Sequence, residues 1–296
     1  MKISHTPARI LVVGSCSIDI ILNTDHIPQA DETLIANSID RYFGGKGANQ
    51  AVGSARLGSS VYLISSIGMD PDGQQVIRNL SDENVNVGFV YENEEEATGS
   101  AYVTTCNGKS SIVVLPAANF ELKPNHVEAA EKLFQTADLL LLQLEVPLET
   151  VEKAVQIAKK HNLKVGIYVS PAKKISKDII DYASFLVLKS SELSAISDSD
   201  SKEEILKKYP NKLFVRDDHN STTYYNGVEM KYFSNHHINI NNKMGMGDAF
   251  TSGFAFAYCH GNDTETCVKF GNEVSIKASL KPGSQTSLPR LKEMEL

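Results

Sequence analysis

The sequence predicts an α/β fold whose mostly parallel sheet is covered by helices on both faces. Three features predict it. Short apolar runs of strand length recur along the chain, amphipathic stretches of helical length separate them, and glycines fall where strands hand over to helices. With 296 residues, 42% hydrophobic and 22% charged, the chain is long enough to bury a large core. Its composition is neither disordered nor collagenous.

Taken in order, residues 10–13 form a buried parallel strand ending at Gly14, and 19–22 a second strand with a polar start. Residues 24–41 are polar and extended, with a turn at Pro28. Together with 101–115 they suit a small sheet projecting from the main body. A helix is predicted over 48–57, where small and apolar residues recur at helical spacing and Gly58 supplies the stop. The middle then alternates: strand 61–64, helix 73–83, helix 125–135, strand 138–142, helix 148–161 and strand 164–168. Further strand candidates lie at 185–188 and 213–215, and the acidic run 92–96 reads as a solvated loop. In open parallel sheets ligands collect at the carboxyl ends of the strands, so the glycine-rich segments should fall there.

Composition also excludes. A net charge of −7 leaves no basic surplus to displace phosphate counterions, so no nucleic-acid partner is expected. The longest apolar stretches, such as 137–142, fall far short of the ~20 residues that span a bilayer, and the N-terminal residues lack an apolar leader core. No membrane partner is expected. Cys16, Cys106, Cys259 and Cys267 show no C-x-x-C pairing and read as small buried hydrophobes of a reduced, cytoplasmic protein.

Two glycine-rich segments carry chemistry. Gly44-Gly45-Lys46-Gly47-Ala48-Asn49-Gln50 leads into a helix, so its backbone can approach a ligand closely, with Lys46 and Asn49 as donors. An ordinary tight turn fits it equally well. The spacings of a P-loop and of a dinucleotide fingerprint are both absent. Gly245-Met246-Gly247-Asp248 opens another helix, running to about Tyr258, and N–H groups converging at such a start make an anion hole. Asp248 there is either a helix cap or a base for an attacking hydroxyl.

Gly14-Ser15-x-x-x-Asp19, GGKGANQ and GMGDAF, in that order, resemble the ribokinase family of carbohydrate kinases. The likeness extends through Ala118-Asn119, Gln143-Leu144-Glu145-x-Pro147, Phe270-Gly271-Asn272 and Gly283-Ser284-Gln285-Thr286-Ser287, and so over nearly the whole chain. It implies a single three-layer α/β/α domain over 1–296, with a small β-sheet lid from segments near 20–42 and 98–115 and a homodimer through that lid. It also implies transfer of the γ-phosphoryl of ATP, with magnesium, to a sugar hydroxyl. D-Ribose to ribose 5-phosphate is the first expectation; another pentose, a ketohexose or a nucleoside are the alternatives. By the same resemblance Asp248 is the base and Gly245, Met246 and Gly247 form the anion hole. Ser17, Asp19, Gly45, Lys46, Asn49 and Glu145 then join Asp248 in holding the sugar, carboxylates accepting hydroxyl protons while Lys46 and Asn49 donate.

The nucleotide side departs from the family pattern. Lys189-Ser190-Ser191-Glu192 stands where the family has N-x-x-E, leaving Glu192 to hold magnesium through water. Arg216-Asp217-Asp218 replaces the start of the nucleotide loop, and Ser221 its second glycine. Lys189, Glu192, Arg216, Asp218, Ser221, Gly247 and Asn272 are the implied nucleotide contacts. A monovalent cation such as potassium is implied at Asn242, Met244, Ala278, Lys281, Gly283 and Ser287, but Asn242-Lys243 replaces the family's Asp-Thr pair. Two readings stay open. Lys189, Arg216 and Lys243 supply the positive charge, with Lys243 a tethered ammonium in place of the cation. Alternatively, ATP binding is lost and the chain binds a sugar silently.

Overall fold

The first strand sets the layering. In β1 (Arg9–Val13), Ile10 and Val12 enter one apolar core while Leu11 and Val13 enter another, as a period of two requires in a strand covered on both faces. The computed structural model describes residues 1–107, 109–197, 200–217, 219, 221–234 and 242–294.

The chain continues through β2 (Ser17–Asn23), β3 (Ser38–Gly44), α1 (Lys46–Arg56), β4 (Ser60–Gly68), α2 (Pro71–Asp82) and β5 (Val85–Asn93). Next come β6 (Ser100–Cys106), β7 (Lys109–Leu115), α3 (Pro124–Ala129), α4 (Glu131–Phe134), β8 (Leu139–Gln143), α5 (Leu148–Lys160) and β9 (Lys164–Tyr168). They are followed by α6 (Lys177–Tyr182), β10 (Phe185–Lys189), α7 (Lys202–Lys208), β11 (Leu213–Arg216) and β12 (Thr222–Tyr225). Last are β13 (Met230–Phe233), α8 (Met246–Cys259) and α9 (Thr264–Ser279).

Among the described residues, nine strands make one sheet, in the order β13-β12-β11-β10-β9-β8-β1-β4-β5, parallel from β11 to β5 and antiparallel at β12 and β13. Helices α1, α2, α8 and α9 pack on the core that holds Ile10, and α3 to α7 on the core that holds Leu11. This is the three-layer architecture the sequence led us to expect. The order reverses at β1, which lies between β4 and β8, so the crevice beyond the carboxyl ends of β1 and β8 is a topological switch point. A second sheet, β3-β2-β6-β7, forms the lid.

Several boundaries differ from expectation. The lid strands are Ser17–Asn23 and Ser38–Gly44 rather than 24–41, because the polar stretch around Pro28 has no apolar alternation to pack and serves as their connection. The helix expected over 125–135 is two pieces, broken at Ala130, whose φ of −94° and ψ of 9° leave the helical region. Glu92 lies inside β5 rather than in a loop. All four cysteines are free; Cys16 and Cys267 are buried as expected, but Cys106 and Cys259 only partly so. Among the described residues no helix is long and apolar enough to cross a membrane.

One ring ties α8 to the sheet. Phe254 lies 4.6 Å, centroid to centroid, from both Phe185 of β10 and Phe214 of β11. Phe254→Ala is expected to cost ~3–5 kcal/mol, read as a lower urea midpoint at an unchanged slope. A loss below ~0.5 kcal/mol, the range of surface substitutions, would show that α8 is held by other means.

Candidate active site

The carboxyl ends of β1, β8, β9 and β10 open into a cleft of about 530 Å³. Ser15, Glu145, Ser170 and Lys189 line it from those ends, and Lys46 and Asp248 from the starts of α1 and α8. The turn into α1 owes its position to Gly45, whose φ of 86° favours glycine and whose Cβ, if present, would stand 2.6 Å from the Cα of Cys16. The loop therefore lies directly on the backbone that follows β1, and this carries Lys46 and Asn49 into the cleft.

Lys46 Nζ is 3.3 Å from Glu145 Oε1. Ser15 Oγ and the backbone N–H of Lys46 donate to Glu145 Oε2 at 2.6 and 3.1 Å. Burial disfavours the Glu145 carboxylate, but Lys46 and these donors outweigh it and hold the carboxyl below its usual range. Burial would also pull the Lys46 ammonium down; Glu145, and after it Asp248, push it above its ordinary value instead. The pair is locked in its charged form.

Gly245 caps α8 without a side-chain bond, and Asp248 reaches across to α1 instead of capping its own helix. Asn49 Nδ2 donates to Asp248 Oδ2, and Gln50 Nε2 to Oδ1, each at 3.0 Å. The cap alternative therefore does not describe this residue. Burial raises the Asp248 carboxyl to about 6, opposed by Lys46 and by the two amides. The first N–H groups of α8 have no preceding carbonyl in the helix to bond. Gly247 admits Tyr168 beside them, since a Cβ there would fall 2.2 Å from its hydroxyl. Burial pushes that phenol up to about 12.

On the lid side, Ser284 Oγ donates to Asp19 Oδ2 at 2.8 Å and Ser17 Oγ to Oδ1 at 3.2 Å, and burial raises the Asp19 carboxyl. Ala101, Val103, Ile112 and Val114 supply an apolar ceiling. Asn49 Oδ1 is buried with no donor among the described residues, in a residue that lines the cleft.

Of the residues singled out in the sequence, Ser17, Asp19, Gly45, Lys46, Asn49, Glu145, Lys189, Glu192, Lys243, Met244, Gly245 and Asp248 all line this one cleft. Glu192 accepts from Ser170 Oγ at 2.6 Å and from the backbone N–H of Lys189 at 2.9 Å, one bond on each oxygen. Arg216 is a correction. It is 2% exposed and donates to Met246 O at 2.7 Å and Ser275 Oγ at 2.9 Å, with its guanidinium 4.5 Å from the Phe250 ring. Burial draws it down to about 10. It braces the start of α8 from beneath instead of reaching a phosphate from the cleft. Asp217 accepts from the N–H groups of His219 and Ser221, so its charge is engaged in its own turn. Ser221 and Asn272 are buried outside the cleft; Asn272 Oδ1 accepts from Thr222 Oγ1 at 2.9 Å while its Nδ2 meets no acceptor. Asp218 lies outside the described residues.

The sequence reading missed Ser15, Gln50, Gln143, Tyr168 and Ser284 as members of the site. Gln143 Nε2 donates to Gln50 Oε1 at 2.7 Å, which fixes the amide end of Gln50 toward Asp248. A glutamine closing the leucine run of β8 was the available signal, because a buried polar side chain needs a partner. Nothing in the sequence pointed to Tyr168.

Lys46→Met would leave Glu145 without its counter-charge. About a fifth of each side chain still meets solvent (23% and 19%), so the expected loss is roughly 2 kcal/mol, below the full cost of breaking a buried pair. With Lys46 gone, the cost of burying the Glu145 charge loses its main offset and the carboxyl shifts upward, so the deficit is largest where Glu145 must be ionised and should shrink as pH falls and the carboxyl protonates. Urea unfolding at neutral and mildly acidic pH checks this, and a deficit that does not change with pH would contradict it.

Residues 7–291 match the model of the pfkB family of carbohydrate kinases. Ribokinase of Bacillus subtilis strain 168 is 30% identical over 287 residues, covering 97% of this chain and 98% of that protein. Among solved structures, Thermotoga maritima ribokinase superposes with a TM-score of 0.85 at 28% identity, over 97% of both chains. Arabidopsis thaliana ribokinase complexed with ribose and ATP gives 0.84 at 25%, again over 97% of both. The motifs at both helix starts, the two-sided sheet with its lid and this near end-to-end match agree: the chain belongs to the pfkB family of carbohydrate kinases.

Proposed function

We propose that the protein phosphorylates a small sugar at the expense of ATP, D-ribose to ribose 5-phosphate first. One observation carries this: a buried carboxylate, Asp248, lies at the open end of α8 with its charged form held by two amides and an unpaired acceptor, Asn49 Oδ1, beside it. Asp19, Gly45, Lys46, Asn49 and Glu145 take the sugar hydroxyls, with Ser17 near Asp19. Asp248, with its carboxyl near 6, is ionised at neutral pH yet basic enough to take the proton of the attacking hydroxyl. The new O–P bond forms as the bond from the γ-phosphorus to the β-phosphate oxygen breaks, and ADP leaves.

The first-turn N–H groups over Gly245, Met246 and Gly247 face the charge that develops on the transferred group. Lys189 and Lys243, both exposed at the cleft, offer cations to the phosphates. Glu192 suits magnesium held through water: each carboxylate oxygen carries one hydrogen bond and keeps a lone pair, in a residue that lines the cleft. Bound magnesium neutralises phosphate charge. The apolar ceiling of the lid excludes water over the reacting atoms. A solved ribokinase complexed with ribose and ATP supports the choice of both substrates.

Another sugar is the second reading, favoured by Ser17, a short side chain already engaged with Asp19. We also propose a cytoplasmic homodimer formed through the lid. Edge strand β7 ends the small sheet and exposes Val113, which does not line the cleft, by 66%, an apolar side chain that a partner would cover together with the strand edge.

Asp248→Asn should retain sugar affinity by calorimetry while turnover falls roughly 10²–10⁴-fold, and unchanged turnover would remove Asp248 as base. Sugar binding without any binding of magnesium–ATP would instead favour a silent sugar-binding protein, and ADP release across a sugar panel separates ribose from the alternatives. In sedimentation, Val113→Asp should convert a dimer to a monomer; a parent protein already monomeric would refute the lid interface.

A further inference from the structure

The resemblance placed a monovalent cation among oxygens of Asn242, Met244, Ala278, Lys281, Gly283 and Ser287. In this chain Lys281 O and Gly283 O are engaged by the Asn242 side chain, and Asn242, Ala278 and Ser287 have protein partners of their own. Asn242 Nδ2 donates to Lys281 O and to Gly283 O, each at 2.9 Å. The backbone N–H of Met244 donates to Asn242 Oδ1 at 3.0 Å, and that of Asn242 to Ser279 O at 3.0 Å. Ser287 Oγ donates to Ser284 O at 3.1 Å, and Ala278 O accepts from the N–H of Lys281 at 3.5 Å.

The chemistry of these contacts fixes the side chain that suits them. Two carbonyls require a donor, and one N–H requires an acceptor, so only a group carrying both serves all three. A carboxylate at 242 would face the two carbonyl oxygens with no proton between them. An ammonium has no acceptor for the N–H of Met244, and Lys243 is elsewhere: it is exposed and lines the cleft. Lys243 as a tethered ammonium in the cation site is therefore a correction. The residues do not fit a bound cation either, because the side-chain amide occupies the carbonyls that would hold one.

We propose that the Asn242 side-chain amide replaces the monovalent cation as the cross-link between the segment entering α8 and the loop leaving α9, so that the protein takes no such cation. The link has a short path to the site. The segment runs from Met244 into Gly245, whose Cβ position is 3.2 Å from Ser284 O, and Ser284 holds Asp19. An anion hole tied in this way stays formed whatever the salt. Its catalytic consequence rests on the proposed kinase reaction; the cross-link itself does not.

Thermal unfolding separates the two. The parent protein should show the same Tm in potassium, sodium and choline chloride at equal ionic strength, since a bound ion would stabilise the folded state by mass action. A saturable rise of Tm specific to potassium would overturn the proposal. Asn242→Asp should lower Tm in choline chloride and regain part of the loss selectively in potassium; an Asp variant as stable in choline as its parent would also overturn it. If the variant does not fold, the salt series on the parent still decides. Sugar phosphorylation by the parent should not respond to potassium, and a protein with no kinase activity but a potassium-independent Tm would sink the functional reading while leaving the cross-link intact.

Discussion

Lys46 stands between Glu145 and Asp248 at the floor of the cleft, with the Asp19 carboxylate nearby on the lid. The three carboxylates reach this mostly buried place from separate parts of the chain: a lid strand, the end of β8 and the start of α8. Without a shared counter-charge they would repel one another at low dielectric, and at least one would take up a proton. Lys46 settles Glu145 as an anion at 3.3 Å and leaves Asp248 only partly compensated. The division matters for chemistry. A fully compensated Asp248 would be too weak a base, and an uncompensated one would be protonated at neutral pH.

The surrounding structure keeps that balance. Gly45 lets the α1 turn lie on the β1 backbone, which sets how far Lys46 enters. Asn49 and Gln50 leave α1 one residue apart and grip the two oxygens of Asp248, while Gln143 orients Gln50 from β8. Arg216 holds the same helix start through Met246 O, so the position of Asp248 is fixed from α1 and from the end of β11 at once. Gln143 and Arg216 act by placing the groups proposed to meet the substrates, while Gly45 and Asn49 both place their neighbours and face the sugar in the proposed reaction.

Much of this was legible in the sequence, and for definite reasons. Leucine and valine runs doubly buried in parallel strands leave a continuous apolar signal, so β1, β8, β9, β10 and β11 were found. Strands β5, β12 and β13 were not, because their half-buried edges carry mixed residues. Asp248, Lys46 and Asn49 stood in glycine-rich segments at helix starts, where composition and local geometry point the same way. Arg216 misled because the resemblance set it at the start of the nucleotide loop, whereas here it turns under α8. Asn242 was noticed only as a loss. That its amide satisfies two carbonyls and an N–H depends on the path of the loop after α9, which no local pattern encodes.

The pH dependence of kcat/KM for sugar phosphorylation tests the central balance most directly. The charge arrangement around Asp248 places the acid limb of the profile near 6, where the base gains its proton. A limb near 3.8, the ordinary aspartate value, would show that Asp248 is not held in the buried, partly compensated state described above.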